Sequence, residues 1–288
     1  MSGPGQPSTG RGSGPAAVAV VAATLLVALF AAAAPAPAAA QRYLLQLKPR
    51  VGDTLQMELD EQRQATGTTK FGGADSSRTM STRLRTFSRA VVQGQLRGAV
   101  TVLAIIDSVT LVTNDQHRRA GAAGQRMLFR LAEDGTMRVV DEETGANRAT
   151  SELVALMPAA LPTAPVAVGE SWTRSIPMVV ARGSADEGVV RATFRLDSVS
   201  RDESLAYISM RGDMRRDSVP AGPPRGTLMQ VAGTVTGAML LDRRRGWLTE
   251  SRFAVIMHST MLPPASTGAS PVRFVTRITQ RMRTLDRK

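Results

Sequence analysis

The stretch Val189-Val190-Arg191-Ala192-Thr193-Phe194-Arg195-Leu196-Asp197 places Val190, Ala192, Phe194 and Leu196 on one side of an extended chain. Arg191, Thr193 and Arg195 fall on the other side. Side chains of a strand point alternately to opposite faces, so this period of two reads as a half-buried β-strand. The turn residues Ser200-Arg201-Asp202-Glu203 follow, and Leu205 to Met214 then reads as the antiparallel partner. A second hairpin is predicted from Gln125 to Leu131 and Thr136 to Asp141, because Asp134-Gly135 suits the positive φ of a tight turn.

Working outward, the same alternation predicts strands at Tyr43 to Leu47, Thr54 to Gln62, Met80 to Val91, Ala99 to Thr113 and Ser171 to Val180. Further strands are expected at Gly226 to Leu241, Trp247 to Thr260 and Val272 to Leu285. Several exceed the usual strand length, and Gly233 and Gly237 are expected to mark bulges or points of coiling. The fold class is therefore mainly β: long antiparallel meanders forming curved sheets or an open barrel. One short helix is predicted at 151–157, with Thr150 or Ser151 as N-cap, Glu152 in its first turn and Pro158 ending it. The Pro-containing segment that follows reads as an extended connector.

The first forty residues have a different character. A polar leader with Arg11 as its one charge precedes the apolar run Ala16 to Ala34, then Pro35-Ala36-Pro37 and Ala38-Ala39-Ala40. This is the order of a signal peptide, with cleavage expected after Ala40 and a periplasmic or extracellular destination. After cleavage no transmembrane span is expected. The chain has no cysteine, which removes lipid acylation, disulfides and thiol chemistry together.

The expected organisation is thus a signal peptide over 1–40, a first β-meander half over 41–144, a helix and Pro-rich connector over 145–170 and a second half over 171–288. The halves share a local echo. Val51-Gly52-Asp53-Thr54 opens one strand series and Val168-Gly169-Glu170-Ser171-Trp172 opens the other.

The leader, Pro49-Arg50-Val51-Gly52-Asp53-Thr54, the Leu161-Pro162 connector and Val168-Gly169-Glu170-Ser171-Trp172 together resemble an uncharacterised family of exported, often lipid-anchored, bacterial β-rich proteins. The resemblance implies a domain of unknown function and carries over no catalytic residue. This sequence departs from the lipid-anchored pattern by lacking the cysteine. A more distant resemblance, of architecture alone, is to periplasmic lipoprotein carriers, whose curved sheet holds acyl chains.

Motifs for chemistry are scarce. His117 and His258 are the two histidines, and neither has metal-ligand spacing. Asp141-Glu142-Glu143 lacks the spaced oxygens of a calcium loop. No nucleophile elbow, Ser-x-x-Lys pair or phosphate loop is found. No catalytic residue, cofactor or metal is expected, and the chain reads as non-enzymatic, with an envelope hydrolase as the enzymatic alternative.

The formal charge is +12 and is carried almost wholly by arginine. Such a field attracts anions. Arg273, Arg277 and Arg281 alternate with Phe274, Ile278 and Met282; Arg83, Arg85 and Arg89 do so around Leu84 and Thr86. If these strands neighbour Arg191 and Arg195, one sheet face is cationic. The candidate anion-binding residues are therefore Arg83, Arg85, Arg191, Arg195, Arg273, Arg277 and Arg281. The bland alternative is a solvated face in an arginine-rich protein. Nine strand methionines, among them Met57, Met80, Met210, Met239 and Met257, offer a second candidate, an adaptable apolar cavity.

The expected function is binding of a hydrophobic or anionic amphiphilic ligand, or of an envelope component. Nucleic acid is not expected as a partner, since aromatics make up only 4% of the chain. The alternatives are a structural or protein-interaction module, and an envelope hydrolase acting on a glycan or ester.

Overall fold

A computed structural model of the chain describes residues 41–71, 74–114, 116–119, 121, 123–142, 160–178, 188–220 and 226–285. The leader and the helix predicted at 151–157 lie outside the described residues. Gln41–Lys288 forms one compact unit. Its strands are β1 (Arg42–Tyr43), β2 (Thr54–Phe71), β3 (Ala74–Leu96), β4 (Ala99–Thr113), β5 (Gln116–Arg119), β6 (Arg126–Ala132) and β7 (Met137–Glu142). They continue as β8 (Val166–Ala167), β9 (Ser171–Met178), β10 (Gly188–Val199), β11 (Leu205–Pro220), β12 (Leu228–Asp242), β13 (Trp247–Leu262) and β14 (Val272–Leu285).

All but β1 and β8 belong to one antiparallel sheet in the order β7-β6-β4-β3-β2-β14-β13-β12-β11-β10-β9, with β5 beside β4. The mainly β class, the meander pattern and the unclosed sheet agree with the alternation in the sequence. Each half is a meander in itself, and the two join where β14 pairs with β2, from Arg273 opposite Thr68 to Leu285 opposite Gln56.

The sheet curls strongly. Its edge strands are ten spacings apart, about 48 Å in a flat sheet at about 4.8 Å per strand. Yet Asp134, in the turn between β6 and β7, lies 3.8 Å from Arg174 of β9. Residues 160–165 bridge the two edges. Leu161 N–H donates to Asp134 O, the Arg174 guanidinium donates to Leu161 O, and Trp172 Nε1 donates to Ala160 O. The edges meet through this bridge instead of pairing, so the barrel stays open.

The curl gives the sheet an inner and an outer face. At one end the inner face is filled. Phe194, Leu196, Ile208, Leu241, Val92 and Val102 are fully buried there. The segment before β2 crosses this end as a plug: β1 pairs with β8, Leu47 N–H donates to Glu133 O, and Lys48 N–H donates to Gly246 O. Leu45, Leu47 and Pro49 point into the core. Burying each leucine contributes on the order of 2 kcal/mol, which suffices to hold a segment with little ladder pairing of its own. Of the strand predicted at Tyr43 to Leu47, only Tyr43 is in a ladder; the alternation there reflects packing beneath the barrel end.

The echo between the halves recurs atom by atom. Gly52 and Gly169 have φ of 92° and 87°. Asp53 N–H donates to Arg50 O, and Glu170 N–H to Ala167 O. In return, the Asp53 carboxylate accepts from Arg50 N–H and the Glu170 carboxylate from Ala167 N–H. Gly52 and Gly169 then donate to Val92 O and Leu196 O of the neighbouring strands, whose N–H groups donate back to Asp53 O and Glu170 O. A positive φ two residues after the turn's first carbonyl demands glycine, and the acid that follows locks the turn.

Of the two roles expected for Gly233 and Gly237, the bulge is overturned. The register shifts that involve β12 fall between Arg216 and Val219 on β11 and between Leu240 and Leu241, away from Gly233 and Gly237. Both glycines are points of close approach: a Cβ at Gly237 would strike the Phe253 ring, and one at Gly233 would strike Ile256 O.

Candidate functional site

The seven candidate arginines occupy the outer face, opposite the core. Register places Arg85 beside Asp60, Asp60 beside Arg281, and Arg281 beside Arg252, on β3, β2, β14 and β13. The acids between them set the chemistry. Arg83 donates through Nε and Nη2 to the two oxygens of Asp60. Glu58 accepts from Arg85 Nε on one oxygen and from Arg283 Nε on the other, each at 2.6 Å. Glu250 accepts from Arg281 at 2.9 Å and from Arg252 at 2.6 Å. Arg85 also lies over the Phe87 ring, 5.0 Å from its centroid.

The Glu58 side chain is only 6% exposed. Burial pushes its carboxyl upward, but the hydrogen bonds and charges of Arg283 and Arg85 outweigh that and hold it below the usual carboxylate range. Asp60 is held low chiefly by the Arg83 hydrogen bonds. Arg83, Arg85 and Arg281 are therefore engaged in a charge-alternating network with Glu58, Asp60 and Glu250. Arg191 and Arg195 lie on β10, four strands from β14, and Arg195 donates to Gly169 O at 3.2 Å. Arg273 and Arg277 share the outer face of β14. The seven share a face, but the structure brings them together as pairs and singles, without a common centre.

Glu58, Asp60 and Glu250 were legible as outward positions of their strands, since Glu58 and Asp60 alternate with Met57, Leu59 and Glu61. The pairing of Glu58 and Asp60 with the arginines depends on β2 lying between β3 and β14, and that of Glu250 with Arg281 on the register of β13 with β14; strand patterning alone supplies neither.

The inner face differs. The methionines whose side chains the structure describes all face inward: Met127, Met210 and Met239 are buried, and Met57 and Met257 pack against the core. Beyond the filled end, β4, β3, β2 and β14 continue with Leu111, Leu84 and Ile278 half-buried and Met80 47% exposed. Three charged side chains join this inner surface, Glu61 and Arg63 on β2 and Arg78 on β3. Arg63 donates to Glu61 at 3.2 Å, and the Glu61 side chain is 12% exposed. Arg78 lies opposite Gly67, over which the Phe274 ring is laid.

Sequence reading missed this inner site because it ended one strand at Gln62 and began the next at Met80. The intervening residues, rich in Thr, Ser and Gly, belong to no predicted strand. In the structure β2 and β3 run on through them, paired from Arg63–Thr82 through Phe71–Ala74 and carrying a Thr66 to Thr79 hydroxyl contact of 3.0 Å.

His258 is exposed on the outer face, and His117 lies in the short β5. Among the described residues, no three His, Asp or Glu side chains converge as a metal site. Two open hollows lie at the filled end. One, of about 480 Å³, is lined by Arg50, Asp53, Arg244 and Arg245; the other, of about 560 Å³, by Arg130, Arg138, Glu133 and Asp134.

Residues 137–248 match a family of unknown function (DUF6263). The matched region begins in β7 and includes the Gly169-Glu170 turn, so the resemblance read from the sequence is to an uncharacterised family. No curated protein matches the chain. Among solved structures, the translocator domain of autotransporter NalP from Neisseria meningitidis is 12% identical, covering 94% of this chain and 97% of its own, with a TM-score of 0.17. A DUF1329 family protein from Desulfovibrio piger is also 12% identical, covering 78% of this chain and 85% of its own, with a TM-score of 0.14.

Proposed function

We propose that this chain is an exported, non-enzymatic envelope protein that takes up a hydrophobic or amphiphilic molecule on the inner face of its open barrel. The observation that carries the reading is the unequal filling of that face. The same inward positions that make a closed core beneath Phe194 and Leu196 continue on β2, β3, β4 and β14 as Leu84, Leu111, Ile278 and Met80, which keep contact with solvent. Apolar side chains lining a concave, half-filled surface form the usual chemistry of an apolar ligand site. Methionine suits a ligand of variable shape.

The outer face argues for an aqueous setting. Its inter-strand Arg, Asp and Glu pairs are the reverse of a membrane barrel, which presents an apolar band outward. The leader supports export, and cleavage after Ala40 would leave the compact unit intact.

The test is native mass spectrometry of the protein purified from a bacterial periplasm, followed by solvent extraction. A stoichiometric lipid or other apolar molecule supports the reading. A bare mass, together with failure of the purified protein to bind a long-chain alcohol, overturns it in favour of an interaction module. That second reading has its own observation, since edge strand β7 exposes Val139 and Val140.

A further inference from the structure

The outer-face acids draw Arg83, Arg85 and Arg281 into pairs, but the inner face has a differently placed set of donors. Arg63 projects inward from β2 and Arg78 inward from β3. Register sets Arg63 opposite Thr82, so four residues of β3 separate the two positions, about 14 Å at about 3.4 Å per residue. Between them lies the row Met80, Ala65 and Thr276, on β3, β2 and β14. Ala65 provides a low floor. Arg63 and Arg78 stand in the adjoining rows on either side of it along the strands, Arg63 donating to Glu61 on its far side, and Thr276 is the β14 neighbour of Ala65.

The site has a polarity along the strands. Toward the filled end, Glu61 follows Arg63 as a nearly buried carboxylate. An anion is repelled from going deeper and attracted where Arg63 and Arg78 lie. In the row of Glu61 stand Leu84 and Leu111 toward β4, and Gln280 and then Phe253 toward β13; Ile278 and Val255 stand in the adjoining row, level with Arg63. Glu61 engages one of the guanidinium nitrogens of Arg63, leaving further N–H donors. No side-chain bond of Arg78 or Thr276 to another described residue occupies their donors.

Resting on the reading above, we propose that the ligand is an acyl-chain amphiphile with an anionic head, seated over Ala65 between Arg63 and Arg78 with Thr276 as an additional donor. The chain lies along the apolar inner surface toward Leu84 and Ile278. Carboxylate and phosphate heads share this chemistry, because both accept charge-assisted hydrogen bonds from guanidinium.

The experiment measures the binding of hexadecanoate, hexadecyl phosphate and hexadecanol to the full chain and to Arg78→Gln. The same alkyl length makes hexadecanol the uncharged reference. The expected result is that one or both anions bind at least about tenfold more tightly than the alcohol, a ratio in keeping with one charge-assisted contact. Arg78→Gln should remove most of that preference while hexadecanol still binds, and an unfolding transition matching that of the native chain shows that the variant is folded. Preference for the phosphate identifies a phospholipid-like head, and preference for the carboxylate a fatty acid; either supports the proposal. Equal binding of all three, or a preference that survives both Arg78→Gln and Arg63→Gln, overturns the anionic seat while the apolar site stands. Binding of none overturns the apolar site as well.

Discussion

The two ends of the inner face are made from the same strands with the same alternation, yet one is a core and the other a surface. At the filled end, Leu45, Leu47, Pro49, Ala160 and Leu161 come from segments outside the main sheet and lie on the inward positions of β3, β4, β6, β10, β11 and β12. At the other end, Leu84, Leu111, Ile278 and Met80 occupy equivalent inward positions without becoming fully buried. Strand periodicity therefore selects a face; a covering segment turns that face into a core. Where cover is incomplete, the apolar positions are available to another molecule.

The largest expected contrast comes from truncating the core. Phe194→Ala removes a side chain with no exposure that stacks on Trp172 at 5.9 Å. It should cost about 4 kcal/mol in urea unfolding. A loss below about 1 kcal/mol would mean that the filled end is not the stabilising one.

Next comes the outer network that ties the halves at β2 and β14. Glu58→Gln leaves Arg85 and Arg283 without their shared carboxylate and should cost about 2 kcal/mol at neutral pH. Because the folded-state pKa of Glu58 lies below its ordinary 4.5, its contribution is complete above that value and is lost as pH falls through the lower folded value. Unfolding measured from pH 7 to pH 3 should therefore show the gap between the native chain and Glu58→Gln narrowing. A gap independent of pH would contradict the pairing.

The repeated turns sharpen the comparison from another side. Gly52→Ala and Gly169→Ala each force a Cβ into positive φ and should each cost about 1 kcal/mol. Similar losses from the two are expected from their matching hydrogen bonds; a markedly smaller loss at one would show that its turn is held by packing instead. The smallest effect is expected at the open end. Met80→Ala should change stability by less than about 0.5 kcal/mol while weakening hexadecanol binding.

How far these features could be read in advance differs by element. Val189 to Asp197 and Leu205 to Met214 pair in the structure as predicted, with Phe194 opposite Met210. Asp134-Gly135 forms its turn, Gly135 having φ of 92°. The Ser200 turn is likewise local: Asp202 accepts from the hydroxyls of Ser200 and Ser204, which lower its carboxyl to about 2. By contrast, the hairpin beyond Gln62 and Met80 was hidden. Its inward residues include Arg63, Ala65, Gly67 and Arg78, and a surface that is not covered need not alternate between apolar and polar.

Alternation, turn chemistry and the two Val-Gly-acid motifs were enough to establish the β class, most of the strands and two of the hairpins, because these depend on contacts between chain neighbours. The pairing of β14 with β2, the curl that brings Asp134 to Arg174, and the division of arginines between an ion-paired outer face and an inner seat depend on residues far apart in the chain. Only the folded sheet decides them. A side chain's partner is then set by strand order and register, and those are fixed by the burial of many residues at once.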